Sequence, residues 1–341
     1  MKLIKKLTVS LLVFSLLAAA VCVRSSAVTV NENGFGFEIN TSAHEAKLVR
    51  YSGNGGAVTI PDYFRGYPVR VIGRNAFSGN TSVTDITFSD TNTTVEEYAF
   101  MNCTALQTVT IPKNVVSFGD RAFAKCTSLQ KVTLLSDMTA VPSNMFSGCS
   151  ALSDLTISES ITSFGAGCFN GCSSLTDLDF VSNGAQLGSY AFNGTGAESV
   201  VLSDTLFAIP DHAFTDCTDL KYVTIPESVT LIQPNAFDFE KITIGCSYDS
   251  YAYRFAKENG YSYELLDGVM LGDTNGDGFI NINDVTEIQR HLAELSKLNG
   301  ICLYAADVNR DDTLDILDAT ALQMVLAEYD FPNHIGEVIK E

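Results

Sequence analysis

The stretch "YAFMNCTALQTVTIP", Tyr98 to Pro112, decides how the chain folds. It spaces Phe100, Cys103 and Leu106 three residues apart, alternates polar and apolar from Thr108 to Ile111, and stops at Pro112. Alternation at period two predicts a short strand with one buried face, and the proline predicts a turn after it. So short a segment cannot bury that face alone, so neighbours must supply the cover. They are visible. Phe recurs at Phe77, Phe100, Phe123, Phe146, Phe169, Phe192, Phe214 and Phe237, in steps of 23 residues with a single step of 22. Five residues before it stand Ile72, Val95, Phe118, Val141, Phe164, Leu187, Ile209 and Ile232; six after it stand Val83, Leu106, Leu129, Leu152, Leu175 and Leu220. The strand pairs continue as Val132/Leu134, Leu155/Ile157, Leu178/Phe180 and Val223/Ile225. Stacking such units makes one continuous core, roughly 40 Å long at about 4.8 Å per strand step.

The order Leu106-x-x-Val109-x-Ile111, with Phe100 and Cys103 before it and Pro112 after, resembles a leucine-rich repeat of the BspA-like kind found in bacterial surface proteins. The resemblance covers about residues 35–266 and implies an α/β-type leucine-rich repeat solenoid of short strands and few helices. "AVTIPDYFRGYPVRVIGRNAF", from Ala57, looks like the usual start, and "SYDSYAYRFAKENGYSYELL", from Ser247, like the usual terminal cap. A cap is physically required, because the last strand otherwise leaves an open edge. The sixth unit departs from the pattern: Glu198 takes the Leu column and one residue is missing before the next Phe. A local irregularity is expected there.

Cys103, Cys126, Cys149, Cys172 and Cys217 each lie three residues after a repeat Phe. They read as one inward column of buried free thiols, interrupted at Asn80, Thr195 and Glu240. Adjacent rungs are close enough in principle for disulfides, though a bond would pinch the stack. Cys168 and Cys172 form a CxxxC pair with no second pair beside it, a poor zinc motif. The outward strand positions run Asp85, Thr108, Lys131, Asp154, Asp177, Tyr222 and Thr87, Thr110, Thr133, Thr156, Asp179, Thr224. Residue by residue, these suit an exposed strand; as a surface, they are the expected partner face. The histidines His44, His212, His291 and His334 are scattered, with no nucleophile at motif spacing. Carbohydrate platforms are few: there is no Trp, and Tyr63, Tyr67 and Tyr222 are the candidates.

A different pattern begins at Asp273. In "DTNGDGFININD", oxygen-bearing side chains stand at loop positions 1, 3, 5, 9 and 12: Asp273, Asn275, Asp277, Asn281 and Asp284. Phe279 at position 7 offers its carbonyl, and Gly278 at position 6 permits the sharp turn. Alternate residues of a tight loop converge their oxygens, as a hard divalent cation requires, and the spacing is that of an EF-hand calcium loop. "DVNRDDTLDILD" repeats it with Asp307, Asn309, Asp311, Thr313, Asp315 and Asp318. Asp312 stands where the glycine should, so the second site is expected to be weaker. Each loop opens an apolar-patterned helix, "DVTEIQRHLAEL" and "DATALQMVLAEY", and no leading helix is expected.

Tandem loops ending in Asp, each with a following helix, are similar to a type I dockerin, over about residues 270–330. That resemblance implies a small all-α module with two F-hand calcium loops, two bound calcium ions, and attachment to a cohesin module of a scaffoldin in a cellulosome-type complex. It assigns recognition to Ile282 and Asn283 in the first half, Ile316 and Leu317 in the second, with Arg290 and Gln323 on the helices. Ile/Asn and Ile/Leu replace the Ser/Thr pairs of the best-known members, which implies a more apolar contact. The Ile shared at position 10 would permit two related orientations.

"MKLIKKLTVSLLVFSLLAAAVCV" reads as a secretory leader, with Ser25 and Ala27, or Ala18 to Ala20, as a small-x-small cleavage site, and an uncleaved anchor as the other reading. Cys22 raises lipidation as an alternative, although Val21 precedes it. Beyond residue 27 the chain has 17 basic and 40 acidic residues, a net charge of −23, which disfavours nucleic acid and anionic membranes. No later apolar run reaches membrane length, so no membrane insertion is expected after cleavage. Residues 268–341 alone carry 14 acids and 4 bases, so folding there is expected to depend on calcium. The expected organisation is a signal peptide at 1–27, an N-terminal cap at 28–71, the repeats with their C-terminal cap at 72–266, a linker at 267–272, the dockerin at 273–330 and a tail at 331–341. The expected function is that of a secreted, non-catalytic subunit. It docks to a cohesin and presents its solenoid to an unidentified protein or polysaccharide. A surface adhesin and a hydrolase using solenoid acids are the competing classes.

Overall fold

The computed structural model describes residues 30–184, 186–238, 242–247, 250–266, 269–298, 300–328, 335–336 and 338–339. The leader, Cys22, His334 and Glu240 of the cysteine column lie outside the described residues. The chain forms two compact units, one of residues up to 175 with 190–195, the other of 176–189 with 196–341.

The first unit opens with antiparallel strands. Val30–Glu32 pairs with Phe35–Asn40, which pairs with Glu45–Tyr51. From there pairing turns parallel, and two ladders climb together. One joins Glu45–Tyr51, Tyr67–Ile72, Thr94–Val95 and Ser117–Phe118. The other joins Gly56–Thr59, Val83–Thr87, Thr108–Ile111, Lys131–Leu134 and Asp154–Ile157. The second ladder thus starts inside the segment read as the cap. Its register is the sequence repeat itself: Val109 faces Val132, which faces Leu155, each 23 residues on.

Between the ladders the repeat Phe rings stack. Phe77, Phe100, Phe123, Phe146, Phe169 and Phe192 follow one another at 4.8, 5.0, 5.7, 5.6 and 5.7 Å between centroids, nearly parallel. All six are buried. Burial of each such side chain stabilises by about 1.5–3 kcal/mol, and ring stacking adds roughly 0.5–1.5 kcal/mol. The thiol column has a polar task as well. Cys103, Cys126, Cys149 and Cys172 each donate a hydrogen bond at 3.2 Å to the carbonyl of Phe77, Phe100, Phe123 and Phe146, one rung back. These four cysteines and Cys168 are buried and unbridged, and Cys217 is buried at its own rung.

Each Phe sits in a tight turn whose chain enters the left-handed region twice. Two residues before Phe, Asn75, Tyr98, Arg121, Asn144, Gly167, Tyr190 and His212 have φ of 59°, 61°, 57°, 55°, 61°, 61° and 57°. Two residues after, Gly79, Asn102, Lys125, Gly148, Gly171, Gly194 and Asp216 lie at 75°, 59°, 60°, 76°, 73°, 68° and 57°. Glycine and Asn enter this region readily; other residues pay on the order of 1–2 kcal/mol each. Close approach selects glycine elsewhere: a side chain at Gly119 would run into the backbone of Glu96 and Glu97.

The second unit corrects one expectation. Leu178/Phe180 alternate like a strand, but Asp179–Asn183 forms a 3-10 turn. The cause is local. Asp177 accepts the backbone N–H of Asp179 at 2.9 Å, and Ser182 bonds back to the Asp179 carbonyl at 2.6 Å. Asp179 also replaces the Thr that stands at this position in the preceding strands, and Asp is a poorer strand former than Thr. The irregularity therefore falls one strand before Glu198. Parallel pairing holds from Ser199–Val201 to Tyr222–Thr224, Thr243–Cys246 and Ser262–Leu265, and Phe214 stacks on Phe237 at 5.7 Å. Helix α1, Tyr251–Asn259, links the last two strands. Ser250 caps its start by accepting from Tyr253 N–H, and Gly260 at φ 76° ends it. Its buried Ala252, Phe255 and Ala256 cover the end of the core.

Among the described residues three helices follow: α2, Ile282–Leu292, α3, Gly300–Ala306, and α4, Ile316–Leu326. Val285, Ile288, Ala319, Ala321 and Leu322 pack between α2 and α4, with Leu298, Ala306 and Val308 below them. Helices α2 and α4 start two residues earlier than the sequence suggested, and α3 was not expected at all. It leads directly into the second loop, because burying Ala305 and Ala306 completes this small core. Among the described residues no helix is long and apolar enough to cross a membrane.

Candidate metal centre and recognition turns

Both loops fold around their first and last aspartates. The Asp273 carboxylate accepts the N–H groups of Gly276 at 2.8 Å, Asp277 at 3.1 Å and Gly278 at 2.8 Å. Asn275 accepts from Asp277 N–H, and Asp277 from Phe279 N–H. Asp284 closes the loop from the far end, with Oδ1 accepting from Thr274 and Asn275 N–H and Oδ2 from Asn281 N–H. The second loop copies the first. Asp307 accepts from Asp311 and Asp312 N–H, Asn309 from Asp311 N–H, Asp311 from Thr313 N–H, and Asp318 from Asn309 and Asp315 N–H.

The same residues start the helices. Asn281 and Asp284 form a capping box on α2, and Asp315 and Asp318 form one on α4. One short segment thus builds the loop and nucleates the helix behind it. The turns need left-handed residues. In the first loop Gly276 and Gly278 supply them, at φ 74° and 80°. In the second, Arg310 at 57° and Asp312 at 62° occupy those seats. The sequence pointed to Asp312; Arg310 is a second strained position it had not flagged.

Electrostatics is one-sided. Asp284 and Asp318 are fully buried and Asp273 nearly so. Among the described residues no Lys, Arg or His forms an ion pair with any loop aspartate. Burial pushes the Asp284 and Asp318 carboxyls above the usual range, against the pull of their backbone N–H donors, and the charges of Asp273 and Asp307 add to the rise. Unpaired buried carboxylates are costly. Among the described residues no three acidic, His or Cys side chains close around one point as a metal cage would require; the loop oxygens are turned onto N–H groups instead, and Asn281 donates to the Phe279 carbonyl at 3.3 Å. Each carboxylate nonetheless has about four lone-pair sites. Asp277 accepts from Phe279 N–H, and Asp273 and Asp284 keep spare capacity on Oδ2. The all-oxygen donor set and the uncompensated charge fit a hard divalent cation.

All six residues assigned to recognition are exposed: Ile282, Asn283, Arg290, Ile316, Leu317 and Gln323. Ile282 and Ile316 are 61% and 58% exposed although they are large and apolar, and they hold equivalent places in the first turns of α2 and α4. Arg290 and Gln323 are not equivalent. Met324 holds the place of Arg290, and Gln289 that of Gln323; both are exposed. Phe279 is 73% exposed, which its loop position, read only for its backbone carbonyl, did not reveal. The segments read as linker and tail join each other. Val269–Met270 pairs antiparallel with Val338–Ile339, Gly336 N–H bonds to the Leu271 carbonyl at 2.9 Å, and Ile335 packs on the helical core.

The outward strand columns are engaged sideways. Lys131 meets Asp154 at 2.6 Å and Thr108 donates to Asp85 at 2.6 Å, both across neighbouring strands. Tyr63 is exposed, and Tyr67 leans on His44 at 5.0 Å. His212 contacts Asp211 and Thr215 within its own turn, and His291 Nδ1 accepts from Leu298 N–H at 2.9 Å.

A profile of the BspA type leucine rich repeat region, in six copies, matches residues 70–196 and 139–250, and a profile of the dockerin type I domain matches residues 271–327. Among solved structures, a leucine-rich repeat protein from Bacteroides ovatus is 20% identical, over 64% of this chain and 70% of that one, with TM-score 0.46. A leucine rich cell surface protein from Faecalibacterium prausnitzii is 24% identical, over 62% and 74%, with TM-score 0.43. A leucine-rich repeat protein from Eubacterium ventriosum is 26% identical, over 62% and 49%, with TM-score 0.43. No curated protein matches the chain.

Proposed function

Because the chain belongs to the BspA-type leucine-rich repeat family and carries a dockerin type I domain, we propose that it is a non-catalytic, exported subunit of a cellulosome-type assembly. Dockerin type I domains bind calcium and dock to cohesin modules; leucine-rich repeat solenoids bind proteins. In this reading residues 271–327 attach the chain and the repeats present a binding surface. Both domain types are non-catalytic, and export accords with both.

The observation that carries the attachment is the placement of Ile282 and Ile316. Each stands exposed in the first turn of a helix whose start is tied to an acidic loop. Two calcium ions would be held by Asp273, Asn275, Asp277, Phe279, Asn281 and Asp284, and by Asp307, Asn309, Asp311, Thr313, Asp315 and Asp318. Bound calcium would supply positive charge that offsets the clustered carboxylates. The chain's own residues do the rest: the capping boxes aim the helix starts, and Ile282, Asn283, Ile316 and Leu317 offer a mostly apolar contact to the cohesin. Immobilised cohesins should capture the full chain with calcium and release it in EDTA. The double variant Ile282→Asp/Ile316→Asp should bind calcium yet lose capture. Capture that survives EDTA, or survives the double variant, sinks the attachment reading.

A further inference from the structure

The two halves of the helical module repeat each other 34 residues apart, from Asp273 to Asp307, so each position has a counterpart to be compared with. Three exposed helix positions agree: Ile282, Thr286 and Gln289 on α2 match Ile316, Thr320 and Gln323 on α4. Their geometry agrees too, since Thr286 and Thr320 each donate at 2.8 Å to the carbonyl of the Ile four residues back. Two other exposed positions differ. Asn283 and Arg290 stand where the second half has Leu317 and Met324, so the first helix is the more polar. The first loop departs the other way. Its position 7 is Phe279, where the second loop has Thr313; both are exposed.

The loop does not require a ring at that position. Phe279 N–H donates to Asp277 Oδ1 at 2.9 Å, and Thr313 N–H makes the same bond to Asp311 at 2.9 Å. The residues that follow, Ile280 and Leu314, both pack on the helical core. Threonine therefore serves the turn as well as phenylalanine does. The Phe279 ring stays in water, which forfeits the stabilisation its burial would give. Its backbone is also tied to the recognition turn. Asn281, the N-cap of α2, donates its side-chain N–H to the Phe279 carbonyl at 3.3 Å, and exposed Ile282 opens that helix. Leu295 is as exposed, at 74%, but it lies beyond the far end of α2, and its counterpart at position 329 is outside the described residues.

We propose that Phe279 is a cohesin-contact residue peculiar to the first half, where its ring supplies the apolar surface that Leu317 and Met324 supply in the second. This rests on the docking reading and adds a specificity-determining residue to it. Continuity names the occupant. Phe279 and Ile282 are three residues apart across one capped turn, and both lie in residues 271–327, which match a domain type that docks to cohesins. A large apolar side chain that the fold leaves in water gains most when a partner buries it, and such anchors carry much of the energy of protein interfaces. The partner is thus a cohesin with an apolar patch opposite the first loop, and the two halves meet it differently.

The test uses the full chain in calcium against a panel of immobilised cohesin modules, and the module that holds the parent most tightly is kept for the variants. Phe279→Thr installs the residue of the second loop and should weaken binding by about fivefold or more, mainly through faster release. Phe279→Leu keeps an apolar side chain on the same loop and should stay within about twofold of the parent. A smaller loss with Thr, or a loss with Leu equal to that with Thr, overturns the proposal. Sedimentation of the parent alone tests the other occupant: self-association that Phe279→Thr abolishes, with cohesin binding retained, assigns the ring to a second copy of the chain and overturns it too. The two levels separate cleanly. If Ile282→Asp/Ile316→Asp loses capture and Phe279→Thr does not, docking stands and this contact falls; if no module captures the parent, the docking reading falls and this contact with it.

Discussion

Cys126 donates its thiol hydrogen to the carbonyl of Phe100 across one rung, at 3.2 Å, and the same bond recurs at Cys103, Cys149 and Cys172. A cysteine here fills apolar space and also supplies a donor to a carbonyl that the turn leaves with spare capacity. Burial pushes the thiols of Cys168 and Cys172 up, and contact along the column with burial does so for Cys103. A thiol reagent should therefore leave Cys103, Cys126, Cys149 and Cys172 unmodified in the folded chain and modify them in denaturant. Mass mapping of alkylated peptides checks this; labelling in the native state refutes it.

Phe123 stacks between Phe100 and Phe146 and is fully buried. Phe123→Ala should destabilise by about 3–5 kcal/mol, and Phe123→Leu by clearly less, since more of the volume is kept. Urea unfolding followed by circular dichroism measures both. Equal costs would mean that the stack matters little beyond one rung.

In the second loop Asp312 adopts φ 62° where the first loop has Gly278. Asp312→Gly should raise the calcium-bound stability of the helical module by several tenths to about 1 kcal/mol. It should also narrow the affinity gap between the loops. Calorimetric titration with calcium, beside thermal melts, would expose an unchanged or weakened second site.

Removing residues 329–341 takes away the strand that pairs with Val269–Met270 and the packing of Ile335. The truncated chain should lose roughly 1–2 kcal/mol from the helical module. Its amides at 269–272 should exchange faster with deuterium. Unchanged exchange there would show that the pairing contributes nothing.

Alkaline pH should weaken the second unit. Burial and the nearby Glu264 push Tyr222 up to about 12, from an ordinary value of 10. The folded state therefore holds this proton more tightly than the unfolded chain. The associated stability is fully present below pH 10 and is lost as pH rises through about 12. Tyr222→Phe should flatten that part of the stability profile; an unaltered slope would assign it to other groups.

The repeat spacing was sufficient to place the ladder register from Val83–Thr87 to Asp154–Ile157, where residues 23 apart face one another. The two acidic turns were equally legible, since side-chain oxygens at this spacing close each turn on its own backbone N–H groups. Asp177 and Asp179 were not: their alternation with Leu178 and Phe180 mimics a strand, and a single side-chain bond to a neighbouring N–H overrides it. Helix α3 and the pairing of the segment ends were also hidden. Seven residues of weak pattern and a two-residue strand acquire meaning when a small core has to be closed around them.

Local chemistry, written in order along the chain, was enough for the unit of the solenoid, its thiol column and its acidic loops. Periodicity and turn spacing act between residues close in sequence or at a constant offset. Folding was needed for the rest. It set Tyr98 between Arg74 and Arg121, left Ile282 and Ile316 exposed, and buried Asp284 and Asp318 without a cationic partner among the described residues. Those relationships depend on which surfaces meet across rungs and helices, and on how much water remains at each charge. Both follow from packing in three dimensions rather than from the order of the residues.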